Sequence, residues 1–110
     1  MWKKVTREHF RNQELIFPAA QESVLQIIKN AIKIDDIRKI TVFGSCIESR
    51  FSPVSDIDIF VDQDSKEHYL LASGLLRGVD YWTKQSVDES LMTEILKKGV
   101  VVYEYGDIIR

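Results

Sequence analysis

Residues 56–61, Asp-Ile-Asp-Ile-Phe-Val, change character at every step. Successive side chains of a strand point to opposite faces, so this stretch can sit in a sheet in only one register. Ile57, Ile59 and Val61 share one face, while Asp56, Asp58 and Phe60 share the other. The isoleucines are suited to burial beneath a helix. The two aspartates then lie with their Cα atoms roughly 6.5–7 Å apart on the opposite side. Asp is disfavoured in strands, and two on one face repel. One reading is a half-exposed strand with an acidic wet face. The other is a cradle for hard cations, with Mg²⁺ as the natural occupant of an oxygen-only site.

The segments around this strand alternate in kind. Pro18 suits a first helical turn, and Val24, Leu25, Ile28, Ala31 and Ile32 recur at helical spacing, predicting a helix over 18–33. Ile37 to Phe43 is rich in β-branched residues and stops at Gly44-Ser45, as a strand does. A short helix is expected over 45–50 and a turn at Ser52-Pro53. Asp64-Ser-Lys-Glu67 has capping-box spacing, predicting a helix over 65–77 that exits at Gly78. Val79 to Thr83 reads as a third strand. Ser86-Val-Asp-Glu89 is a second capping box, opening a helix that ends at Lys97, Lys98 and Gly99. Val100 to Tyr105 reads as a fourth strand. Residues 1–17 carry no clear assignment, and Trp2, Lys3 and Lys4 are expected in a mobile terminus. Helices packed on a small mixed sheet, in one α+β domain spanning 1–110, follow from this order.

Gly44-Ser45 adds chemistry to the acidic strand. A glycine between a strand and a helix lets a phosphate approach the backbone, and the following N–H groups and the serine hydroxyl can bind it. Asp80, inside the apolar-aromatic run Val79, Tyr81, Trp82, is a third acid that could join a metal site or accept a proton. Its alternative is a strand-edge Asp after Gly78.

Gly44-Ser45, a twelve-residue offset, then Ser55-Asp56-Ile57-Asp58-Ile59-Phe60-Val61, with Asp80 in a later strand, resembles the nucleotidyltransferase superfamily of the DNA polymerase beta type. The resemblance covers about 18–104, and in size and layout the chain is similar to the minimal nucleotidyltransferases. Those are small catalytic domains often paired with a HEPN protein as antitoxin with toxin. The resemblance implies a nucleotidyltransferase-type fold and two Mg²⁺ ions held by Asp56, Asp58 and Asp80. It also implies an NTP substrate, expected to be ATP, contacted by Gly44, Ser45, Ser55 and Arg50, and a hydroxyl acceptor on a HEPN-type partner. An inactive, antitoxin-like binding module of the same fold is the alternative. Transfer to a small molecule would need a dimer to complete an acceptor pocket. One departure stands out: minimal family members carry a basic residue and then a glycine where this chain has Glu48 and Ser49, and Arg50 is the first cation after the turn.

Composition narrows the remaining classes. A formal net charge of -2, from 15 basic and 17 acidic residues, gives no overall attraction to nucleic acid. No apolar run approaches the ~20 residues that cross a bilayer, and no signal-peptide pattern opens the chain. Cys46 is the single cysteine, so a cytoplasmic, reducing setting is expected, with Cys46 a buried bystander. His9 and His68 are too isolated to suggest a ligand pair, and a strand explains Tyr103 and Tyr105.

Overall fold

In the computed structural model, which describes residues 1–110, a four-stranded sheet carries one helix on each face. The order along the chain is α1 (Pro18–Ile32), β1 (Ile37–Phe43), β2 (Ile57–Gln63), β3 (Val79–Trp82), α2 (Glu89–Lys98) and β4 (Val100–Glu104). The strand order across the sheet is β3-β2-β1-β4. Strand β1 runs antiparallel to β2 and β4, and β2 runs parallel to β3, so the sheet is mixed as expected.

The period-two pattern of β2 sets this architecture. Ile57, Ile59 and Val61 join Ile40 and Val42 of β1 in the main core, beneath Val24, Ile27 and Ile28 of α1. Phe60 faces the other way and packs with Phe43 and Ile95, under α2. Burying an aliphatic side chain of this size contributes about 1.5–3 kcal/mol. A one-residue slip would expose Ile57 and Ile59, both fully buried, and drive Asp58 into the core.

Three helix expectations are corrected. Residues 65–77 form no helix; the link from β2 to β3 is irregular, with a turn near Leu71–Gly74. Of the two N–H groups that this capping box would serve, that of Asp64 donates to Asp36 at 3.1 Å and that of Glu67 to Ser65 Oγ at 3.1 Å; the Asp36 carboxylate also accepts from the Ser65 N–H at 3.1 Å and the Tyr69 hydroxyl at 2.6 Å. Asp64, read as the cap, pairs with Arg38 at 2.8 Å. Asn30 of α1 then holds the carbonyls of Leu71 and Ser73. The expected helix over 45–50 shrinks to a single 3-10 turn, Gly44–Ile47. The last helix begins at Glu89 and is capped by Asp88, which accepts from the Leu91 N–H at 2.7 Å. The hydroxyl of Ser86, the residue read as the cap, accepts from the Thr83 N–H instead.

The N-terminal segment is not a loose terminus. Phe10 and Ile16 are buried, and Trp2 meets Phe17 edge to face with centroids 5.5 Å apart. Two wholly buried glutamines tie the segment to α1. Gln13 Nε2 donates to Thr6 Oγ1 and to Gln21 Oε1, at 2.6 and 2.8 Å. Gln21 Nε2 donates to the carbonyls of Lys3 and Ile16, while its Oε1 accepts from the Val5 N–H. No helix is long and apolar enough to cross a membrane.

Leucine at position 21 would leave buried carbonyls and an amide unpaired, each costing roughly 1–3 kcal/mol. Gln21→Leu is expected to destabilise the chain by about 2–3 kcal/mol, measured as a lower urea midpoint at unchanged slope. An unchanged midpoint would show that the Gln21 hydrogen bonds contribute nothing to stability.

Candidate functional site

The acids meet because of strand register. Asp58 stands opposite Phe43 on the antiparallel side of β2 and opposite Asp80 on the parallel side. Laterally paired residues point the same way, so Asp58 and Asp80 project together on the α2 face. Asp56 lies one residue before β2 and is exposed. Its neighbour is Gly78, one residue before β3, whose carbonyl accepts from the Ile57 N–H at 3.0 Å.

Two glycines make room for these carboxylates. Gly44 has φ 76°, the left-handed region that side chains rarely adopt, and a Cβ there would come within 2.5 Å of Asp58 Oδ2. A Cβ at Gly78 would come within 2.7 Å of Asp56 Oδ1. The turn that follows β1 therefore rests directly on Asp58, and half-buried Ser45 sits on that turn. Gly44, Ser45, Asp58 and Asp80 are thus brought together, with Asp56 at their flank.

The electrostatics show what this arrangement costs. Burial, then the adjoining Asp80 carboxyl, then the charges of Asp56 and Glu94 push the Asp58 carboxyl from 3.8 up to about 7. A cation between the carboxylates would offset this repulsion. The donor set is all oxygen, as Mg²⁺ prefers. No three acidic, histidine or cysteine side chains converge tightly enough to cage an ion by themselves. Mg²⁺ is commonly held by one or two carboxylates together with a substrate's phosphates, and Asp56, Asp58 and Asp80 fit that open kind of site.

Other residues are placed differently from expectation. Arg50 pairs with Glu48 at the surface, and so the cation nearest the turn in sequence is neutralised by the residue that departs from the family pattern. The Ser55 hydroxyl accepts from the Ser52 N–H at 3.0 Å and braces its own loop. Cys46 is buried, and desolvation pushes its thiol up to about 12, an inert bystander as expected. Sequence reasoning missed two residues. Glu94 reaches the surroundings of Asp58 from α2; its position one residue before the buried Ile95 was the available signal. Arg77 lies immediately before Gly78, and its Nη1 donates to the carbonyls of Ser52 and Ser55 at 3.2 Å. Its guanidinium also stacks over the Phe51 ring, 4.7 Å from the centroid.

The largest cavity, about 560 Å³, is elsewhere, between Lys4, Arg11, Asp107 and Arg110. Arg11 there is already bound to Asp107 and Glu104. Asp56 and Asp80 are exposed and Asp58 is half-buried, and none of the three lines that cavity.

Between about pH 4 and pH 7 the folded, metal-free chain retains a proton on Asp58 that the unfolded chain releases. Stability therefore falls as pH rises through that window. Carboxyl NMR should show an Asp58 midpoint near 7, and Asp80→Asn should lower it and flatten the pH dependence of the melting temperature. Gly44→Ala, strained at positive φ and pressed on Asp58, should destabilise the chain by at least about 1 kcal/mol. Thermal or urea unfolding measures it, and a neutral result would place Asp58 away from the turn.

A protein-family model described as "Polymerase beta, Nucleotidyltransferase" matches residues 25–107. The match takes in all four strands, the Gly44-Ser45 turn and the three acids, and excludes the first 24 residues. No curated protein matches the chain. With the turn and the acids assembled on one sheet face and the family matched over most of its length, the chain belongs to the polymerase beta-type nucleotidyltransferases.

Proposed function

We propose that this chain is a Mg²⁺-dependent nucleotidyltransferase of the minimal type, moving a nucleoside monophosphate from ATP to a hydroxyl on a HEPN-type protein partner. The observation that carries this reading is the lateral pairing of Asp58 with Asp80 beside Gly44, whose bare α-carbon lets the turn close on Asp58. Asp56, Asp58 and Asp80 would hold Mg²⁺. When bound, the ions screen the acids from the triphosphate and stabilise charge on the attacking and leaving oxygens. Gly44 and Ser45 would position the phosphates, since a bare α-carbon lets the chain of phosphates approach the backbone. The acceptor oxygen bonds to the α-phosphorus, the bond from that phosphorus to the β-phosphate oxygen breaks, and pyrophosphate leaves. Asp80, exposed at the lip of the site, takes the acceptor's proton.

Transfer of label from α-labelled ATP to a co-expressed partner is the direct test. Asp58→Asn and Asp80→Asn should each lower the rate by about 100-fold or more. In calorimetry, Mg²⁺-dependent ATP binding should vanish in the Asp56→Ala, Asp58→Ala double variant. Binding that survives both substitutions refutes the assignment of the acids.

A second reading has its own support. Arg50 is held by Glu48, which leaves the turn without the free cation that minimal relatives place there. In that reading the chain is an antitoxin-like module that masks its partner by contact alone. A tight complex with no transferred label would favour it.

A further inference from the structure

We propose that Arg77 and Gly78, at the entry to β3, are positioning residues that set the Asp56 carboxylate for metal binding. This rests on the nucleotidyltransferase reading and names residues that serve its acid site without touching the reacting atoms. Of the three acids, Asp56 is the one outside the sheet. It lies one residue before β2 and is exposed, whereas Asp58 and Asp80 are laterally paired within the ladder. The place of Asp56 therefore depends on what holds the loop in front of it.

Arg77 holds that loop from across the chain. Ser52–Ser55 is a turn closed by the Ser55 N–H on the Ser52 carbonyl at 3.0 Å. The Ser55 hydroxyl also accepts from the Ser52 N–H at 3.0 Å. Both bonds are internal to the turn. Arg77 Nη1 adds an external grip, donating to the carbonyls of Ser52 and Ser55 at 3.2 Å each. An ionised donor makes such bonds stronger than neutral ones. The guanidinium also stacks 4.7 Å from the centroid of Phe51, a residue buried in the main core. The Ser55 carbonyl is half of the peptide bond to Asp56, so Arg77 fixes the backbone directly in front of the acid.

Gly78 works from the other side. Its carbonyl accepts from the Ile57 N–H at 3.0 Å, the first rung after Asp56. The three atoms nearest to a Cβ placed on Gly78 all belong to the Asp56 side chain, with Oδ1 at 2.7 Å and Cγ at 3.1 Å. The bare α-carbon is thus the floor on which the carboxylate rests. Asp56 is gripped on both flanks, at Ser55 through Arg77 and at Ile57 through Gly78. The same segment, 77–80, supplies Asp80 and places Asp56. Groups that orient a metal's ligands commonly matter about 10–100-fold in metal affinity.

The test follows the carboxyl resonances of Asp56, Asp58 and Asp80 by NMR as Mg²⁺ is added with α,β-methylene-ATP, a non-hydrolysable analogue. In the wild type all three should shift. Arg77→Met removes both carbonyl bonds and the stack. At saturating Mg²⁺ the Asp56 shift should then shrink by about three-fold or more while Asp58 and Asp80 keep theirs, and Mg²⁺ affinity by calorimetry should fall about 10-fold. With neither metal nor nucleotide, hydrogen exchange at the Ser55 and Ile57 amides should quicken by about 10-fold or more. Gly78→Ala keeps Arg77 and meets only a side chain that can swing away, so it folds even if Arg77→Met does not. It should give the same loss confined to Asp56. An Asp56 shift retained in either variant, an equal loss at all three acids, or unchanged exchange in Arg77→Met would overturn the proposal, since a purely stabilising role does not single out Asp56. Wild-type carboxyls that ignore Mg²⁺ and the analogue would instead overturn the nucleotidyltransferase reading, and the exchange measurement would still show whether Arg77 holds the loop.

Discussion

Two carboxylates held side by side on neighbouring strands repel, at up to about 4 kcal/mol for unit charges 4 Å apart at an effective dielectric near 20. Asp58 and Asp80 stay together because the rest of β2 allows no other register. Ile57 and Ile59 are fully buried on the opposite face. Relieving the repulsion by a slip would strip both isoleucines of their packing against α1 and bury a charge. Packing on one face of the strand thus holds the two acids together on the other, and the Asp58 carboxyl is pushed up first by its burial and then by Asp80.

The remaining elements support that strand pair. Gly44 brings the turn after β1 onto Asp58, and Gly78 opens space beside Asp56. Phe43, Phe60 and Ile95 close the acid-bearing face further along, so that α2 covers one part of the face and leaves the acids open. From behind, the Phe17 N–H donates to the Cys46 carbonyl at 2.8 Å and props the turn after β1. Phe17 is in turn reached by Trp2 on one side and Phe51 on the other. The N-terminal segment, outside the family match, therefore helps to set the position of the family's own turn.

How much could be read from the chain depended on the range of the forces involved. The acidic strand, the Gly44-Ser45 turn, Asp80 and all four strands were legible, because period-two alternation and turn chemistry are local. The helix expected over 65–77 failed for the same reason. Its capping box was a local pattern, but Asp36, 28 residues before Asp64, took the N–H groups of Asp64 and Ser65 and bound Tyr69 as well, while Ser65 Oγ took the Glu67 N–H. Gly74 at φ 87° then breaks any helical path. The cations illustrate the same limit. Nearness along the chain pointed to Arg50, whereas the fold pairs Arg50 with Glu48 and brings Arg77 across to the loop before Asp56.

The amino-acid sequence by itself determined which side chains of β2 face each way, where the main strands lie, and that three acids and a glycine turn are available for phosphate and metal chemistry. Only the tertiary structure decided that Asp58 lies beside Asp80, that Gly44 lies against Asp58, that Glu94 and Arg77 join the surroundings, and that residues 65–77 stay irregular. The division is physical. Alternation and turn preference act over a few residues, whereas strand pairing, desolvation and long-range hydrogen bonds depend on which distant segments are packed together.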